Sequence, residues 1–157
     1  MSQKVQRILF VCLGNICRSP LAEALFQSEI EARNLVNQFK IDSCGTNGLH
    51  DGERADVRTR RNAMIHGINI PQVSRRIKLA DITDFDLILT MDDSINQRVL
   101  KMCMNDEQRA KVKLFRTFDV ENPGADVPDP WFGGDEGFEN VFQIIKENTD
   151  IWVNRLC

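Results

Sequence analysis

RILFVCLGNICRSPLAEAL, residues 7–25, passes through three kinds of sequence in quick succession. Arg7 to Val11 (RILFV), apolar from Ile8 onward, reads as a buried strand. A short glycine-containing turn then carries Cys12, Cys17 and Arg18. From Pro20 to about Asn34 the pattern becomes helical, with Leu21, Leu25 and Ala32 on one face. Pro20 is tolerated there because the N–H that it lacks has no intrahelical partner in a first turn. Strand, tight turn and helix in that order open an alternating α/β chain.

The rest of the sequence continues the alternation. Phe39 to Ser43 (FKIDS) is a second strand ended by Gly45, and Asp56 to His66 a helix that Gly67 stops. Phe85 to Met91 (FDLILTM) is a third strand, followed by a helix from about Asp92 to Met102, and Val112 to Phe115 is a candidate fourth strand. A proline- and glycine-rich loop, Asn122 to Gly134, leads into a closing helix striped by Phe138, Val141, Phe142, Ile145 and Trp152. This order predicts a single-domain α/β fold over residues 1–157, a parallel sheet with helices on both faces.

In such sheets ligands bind beyond the carboxyl ends of the strands, where the Cys12–Arg18 turn lies. A loop that ends on a helix N-terminus offers several backbone N–H groups and the positive end of a dipole to an anion. Arg18 adds a planar fork matched to two phosphate oxygens. At the base of that cradle Cys12 is favoured as thiolate, a nucleophile facing a bound phosphorus. Three blander readings compete. A lone cysteine after a strand is usually a small buried hydrophobe. The spacing Cys12-x4-Cys17 does not suit zinc, and no second Cys/His pair lies near. No G-K-[ST] follows the turn, so it is not a nucleotide-binding Walker loop. The combination Cys-x5-Arg-Ser between strand and helix favours phosphate chemistry over all three.

Composition bounds the remaining classes. At 157 residues, 42% hydrophobic and 27% charged, the chain has the make-up of one soluble globular domain with a proper core. No apolar run approaches a membrane span, and MSQKVQRILFV is too short and too quickly structured for a signal peptide. The cysteines Cys12, Cys17, Cys44, Cys103 and Cys157 are odd in number and scattered, a poor disulfide framework that points to a reducing, cytoplasmic setting. A net charge of −3 without a basic block argues against nucleic acid as a partner. An anion site here is local, not a property of the whole surface.

The chain resembles the low-molecular-weight protein tyrosine phosphatases. The likeness runs from VCLGNICRSP through IDSCGT (Ile41–Thr46) and LTMD (Leu89–Asp92) to VPDPWFGG (Val127–Gly134), essentially the whole domain. The resemblance implies a four-stranded parallel sheet flanked by helices, the phosphate loop between strand one and helix one, a phosphocysteine intermediate, and neither metal nor other cofactor. It makes Cys12 the nucleophile, Arg18 the phosphate clamp and Asp129 the general acid and base. Backbone N–H groups of Leu13, Gly14, Asn15, Ile16, Cys17 and Arg18 would complete the cradle, and Ser19 would donate to the Cys12 sulfur. Asn15 would take a left-handed conformation, which asparagine tolerates well, braced by Ser43. Leu13, Leu49, Trp131 and Phe132 would line the substrate cleft. Phosphotyrosine-containing proteins would be the substrates and inorganic phosphate the product, with no nucleic acid and no membrane involved. Asp56 and Asp92 also fall on family positions, but each has a simpler reading as a helix cap.

Departures and competitors sharpen this. Trp131 and Phe132 replace the family's usual tyrosines, and the chain contains no tyrosine, so phosphorylation of this loop on tyrosine cannot operate. Gln72 stands where several relatives have a histidine that supports the loop network, and Cys44 replaces a frequent alanine. His50 and His66 match no catalytic role and read as surface or core histidines. Cys17 has two readings: a small loop residue, or a redox partner that captures oxidised Cys12. Arsenate reductases share the fold but need further cysteines near strand three, and residues 77–90 contain none. A sulfurtransferase would not require Asp129. A phosphate-binding module without catalysis would be expected to lose Cys12, Arg18 or Asp129.

Overall fold

Five consecutive residues of the first strand, Ile8 to Cys12, are buried, and they face alternate sides. In β1 (Gln6–Cys12), Ile8, Phe10 and Cys12 join one apolar cluster while Leu9 and Val11 join another. A strand covered on both faces belongs at the centre of a parallel sheet. The computed structural model describes residues 4–157, apart from the Phe132 side chain. β1 pairs with β2 (Phe39–Gly45) on one side and β3 (Leu87–Thr90) on the other, and β4 (Val112–Leu114) follows β3. The order is β2-β1-β3-β4, all parallel.

Six α-helices lie among the described residues: α1 (Arg18–Ala32), α2 (Val57–Ile65), α3 (Leu79–Asp84), α4 (Asp93–Met102), α5 (Asp106–Ala110) and α6 (Gly134–Leu156). The larger cluster joins Leu21, Leu25, Phe26 and Ile30 of α1 and Ala63 of α2 to Val141, Phe142, Ile145 and Trp152 of α6, over Phe10. Phe10 lies 5.7 Å from Phe26 and 6.1 Å from Phe115, ring to ring. Each such fully buried side chain contributes roughly 1.5–3 kcal/mol of apolar burial. Ile82 of α3 with Ile95 and Val99 of α4 covers the opposite face. Among the described residues no helix is long and apolar enough to cross a membrane.

Several local expectations change. Ala32 is exposed, so the buried stripe of α1 is Leu21, Leu25, Phe26 and Ile30 instead. Strand three begins two residues late, because Phe85 closes α3 through a bond from its N–H to the Asp81 carbonyl. α3 and α5 are too short to show a 3.6-residue period, and sequence patterning misses both. Gly45 lies inside β2 and not after it. A Cβ there would sit 2.7 Å from the Leu13 carbonyl oxygen, so only glycine lets β2 pass beneath the loop that leaves β1.

The chain runs from β1 to β2 on one side and returns past β1 to β3 on the other. The loops after β1 and β3 therefore diverge and leave a crevice at their carboxyl ends. Cys12 ends β1, and Asp92 lies two residues beyond β3.

Candidate active site

The Leu13–Cys17 loop turns its carbonyls outward. Cys12 C=O accepts from Thr46 N–H, Leu13 C=O from Asn47 N–H, and Ile16 C=O from Asp56 N–H at 2.8 Å. Asn15 C=O accepts from the Ser74 hydroxyl. Fixing the carbonyls outside aims the donors inward. Among the described residues the N–H groups of Gly14, Ile16 and Cys17 have no protein acceptor, which makes an anion-binding concavity. Asn15 donates its N–H to the Cys12 sulfur at 3.3 Å.

Asn15 holds this shape. Its φ is +57°, the left-handed region expected for it. Its side-chain amide donates to Ser19 Oγ at 2.8 Å and Ser43 Oγ at 3.1 Å, and its Oδ1 accepts from Arg75 N–H at 3.1 Å. Ser43 passes the network on to Glu23 at 2.6 Å. Burial raises the Glu23 pKa, opposed by the Ser43 hydrogen bond. The Gln72 Oε1 is buried without a hydrogen-bond partner among the described residues.

Cys12 and Arg18 are 3% and 4% exposed, whereas Leu13, Leu49, Trp131 and Asp129 are open to solvent. All six line one cleft of about 270 Å³, so the sulfur and the guanidinium form its floor and the apolar groups and Asp129 its rim. Gly14, Ile16 and Cys17 also line it. Asn15 and Ser19, expected at the substrate, are buried behind the loop and support it from there. The Ser19 hydroxyl is 2.9 Å from the Cys12 sulfur. The Phe132 side chain, expected as a second aromatic wall, lies outside the described residues.

Arg18 is oriented by two contacts of one nitrogen. Nη1 donates to Asp92 Oδ2 at 2.8 Å and to the Val127 carbonyl at 2.9 Å, and the described hydrogen bonds leave Nε and Nη2 unused. Burial alone would lower the Arg18 pKa, but the Cys12 sulfur and the Asp92 carboxylate outweigh it and hold it above its ordinary value. Asp92 caps α4 as expected, its Oδ1 accepting Ile95 N–H at 2.8 Å, and in addition fixes the arginine. A guanidinium buried this deeply needs an anion beside it, and nothing local in the sequence singles out Asp92 for that place. Asp56 likewise caps α2, through Arg58 N–H, and also holds the loop at Ile16.

Asp129 stands at the rim with one carboxylate oxygen accepting Trp131 N–H at 3.0 Å. His50, expected to be a surface or core histidine, lines the cleft and pairs with Glu53 at 2.6 Å. His66 stacks on Phe142 with ring centres 4.0 Å apart and pairs with Glu139, away from the cleft. Cys17 shares the cleft, but burial pushes its thiol up to about 12, so it is a neutral group at physiological pH.

The chain is similar to known proteins over nearly its whole length. The model of the family described as low molecular weight phosphotyrosine protein phosphatase matches residues 7–157. The low molecular weight phosphotyrosine protein phosphatase of Schizosaccharomyces pombe is 41% identical over 143 residues, 90% of each chain. The human protein of the same description is 38% identical over 143 residues, 90% of this chain and 89% of the other. A crystal structure of the protein tyrosine phosphatase from Entamoeba histolytica, with Hepes in its active site, matches at a TM-score of 0.91. It is 34% identical and covers 96% of each chain.

Proposed function

The chain belongs to the low molecular weight phosphotyrosine protein phosphatases and is a protein-tyrosine phosphatase, a hydrolase, and we propose that it works through a phosphocysteine intermediate on Cys12. The observation that carries this is the cleft itself: sulfur and guanidinium on its floor, inward N–H groups around them, and a carboxylate at its rim.

In the first step the N–H groups of the loop and the free edge of Arg18 hold three phosphate oxygens, aligning phosphorus with the Cys12 sulfur. The sulfur attacks as thiolate, and the P–O bond to the phenol breaks on the opposite side. Asp129, protonated, gives its proton to the departing oxygen, so phenol and not phenolate leaves. In the second step the Asp129 carboxylate takes a proton from a water that attacks phosphorus. The S–P bond breaks, the Ser19 hydroxyl stabilises the charge returning to sulfur, and inorganic phosphate is released.

The rim selects the ester. Leu13, Leu49 and the Trp131 ring favour a flat aryl group between them, and a phenol is long enough to carry its phosphate down to the cradle. Phosphotyrosine is preferred to phosphoserine on that ground, and because an alkoxide is the poorer leaving group. The scattered free cysteines suit a cytoplasmic protein, and phosphotyrosine proteins are its partners, with no role for nucleic acid or membrane.

Replacing Cys12 with serine tests the mechanism. Cys12→Ser should keep phosphate binding, which rests on backbone and Arg18, and lose turnover of p-nitrophenyl phosphate by about 10⁴-fold or more. Appreciable turnover by that variant overturns the phosphocysteine route.

A further inference from the structure

Asp129 sits on an exposed segment, yet its carboxyl must meet a leaving oxygen to within a fraction of an ångström. Two anchors flank it. On one side Val127 donates its N–H to Met91 C=O at 2.7 Å and accepts Arg18 Nη1. On the other side the chain turns through Pro130–Phe132, where Trp131 remains 44% exposed. What fixes that second side is Arg58 of α2. Its guanidinium carbon lies 4.9 Å from the Trp131 ring centre and 4.7 Å from that of the buried Phe138, and Nη1 reaches the Trp131 carbonyl at 3.5 Å. Its Nε and Nη2 are both 3.2 Å from the Asp56 carboxylate.

Asp56 is the residue whose N–H binds Ile16 C=O of the phosphate loop. A continuous chain of contacts thus runs from the cradle through Ile16, Asp56, Arg58 and Trp131 to Asp129, whose Oδ1 accepts the Trp131 N–H. We infer that Arg58 is a positioning residue, which sets the height of the Asp129 carboxyl above the cradle by gripping Trp131; this rests on Asp129 being the general acid. The chemistry fits arginine in particular. A planar fork can pair with a carboxylate along one edge while its face lies against aromatic rings, and a lysine ammonium cannot do both. An ordinary surface ion pair would require only the Asp56 contacts.

Single-turnover formation of phosphocysteine, followed with phenyl phosphate and with p-nitrophenyl phosphate, tests the inference. Arg58→Ala should slow the phenyl ester about tenfold or more and the activated ester less than about threefold, because only the poor leaving group needs an accurately placed acid. Inhibition by inorganic phosphate should stay within about twofold of wild type, the cradle being intact. In an Asp129→Ala background, Arg58→Ala should add no further leaving-group-dependent loss, the non-additivity expected of residues acting as one unit. Arg58→Met, which keeps the bulk over the rings, should show the same pattern and replaces the alanine variant if that one unfolds. Equal losses with the two esters, or losses that multiply with those of Asp129→Ala, overturn the inference while leaving Asp129 in place. If Asp129→Ala itself shows no leaving-group dependence, the general-acid assignment fails and the inference fails with it.

Discussion

Asp92→Asn isolates the ion pair that orients Arg18. Asparagine is as good a helix cap as aspartate, so α4 keeps its first turn, and only the charge opposite the guanidinium is removed. The two groups are 2.8 Å apart with side chains 5% and 20% exposed. At that separation the Coulomb attraction is about 1.5 kcal/mol in bulk water and about 6 kcal/mol at an effective dielectric of 20. Removing one partner of a buried pair typically costs 3–5 kcal/mol, because the other charge is left without an anion. The asparagine oxygen can still accept from Nη1, returning about 1 kcal/mol. A net loss of about 2–4 kcal/mol follows, and in a domain of this size it lowers Tm by about 4–16 °C.

Phosphate supplies the missing anion, so the variant should recover part of its deficit in saturating phosphate and show a larger phosphate-induced rise in Tm than wild type. Calorimetry of both proteins with and without phosphate reads the two numbers directly. Turnover provides a second reading. With the guanidinium free to move, kcat/KM for aryl phosphates should fall about tenfold. A Tm in phosphate-free buffer within about 1 °C of wild type, or identical phosphate-induced rises, would refute the reasoning that Asp92 is the counter-charge of the resting arginine.

Two further outcomes test other parts of the site and core. Mild peroxide should inactivate the enzyme reversibly through a Cys12–Cys17 disulfide: peroxide oxidises Cys12 to a sulfenic acid, Cys17 displaces water from it, and dithiothreitol restores both thiols. Because burial pushes the Cys17 thiol up to about 12, the recoverable fraction should rise between pH 6 and pH 9, and Cys17→Ser should lose activity irreversibly; identical recovery in both proteins makes Cys17 packing only. Asp119, buried with Arg116 and Asn148, contributes to the acid limb of stability. Burial opposes its ionisation, but hydrogen bonds from Asn148, the Asn122 N–H and Arg116 outweigh burial and lower its pKa to about 2. A folded pKa below the unfolded one means stability present above about pH 4 and lost as pH falls towards 2, about 2 kcal/mol in all. Urea unfolding of Asp119→Asn should show lower stability at pH 7 and a flatter fall below pH 4, and parallel pH profiles for both proteins would remove Asp119 from that role.

The strand, turn and helix at the start of the chain were legible in the sequence because they are local. Eleven consecutive positions, Phe10 to Pro20, carry Cys12, Arg18 and the N-terminus of α1, and their order alone places them at the end of β1. The apolar stripe of α6 was equally plain, since Phe138, Val141, Phe142, Ile145 and Trp152 recur at the helical period. Asp129 was legible only through resemblance, for nothing local distinguishes it from other surface aspartates. What remained hidden depends on partners far away along the chain. Arg18 meets Asp92 across 74 positions, Arg58 meets the Trp131 carbonyl across 73, and Asn15 is held by Ser43, Ser74 and Arg75 from two other segments. A capping aspartate has the same sequence signature whether or not its second oxygen holds an arginine, and a loop histidine looks the same on a cleft wall as in solvent. Sequence determined which groups were available and which strand end they occupied. Tertiary structure alone decided their partners, because a charge or carbonyl buried on folding must be satisfied by whatever the sheet order brings within about 3 Å of it.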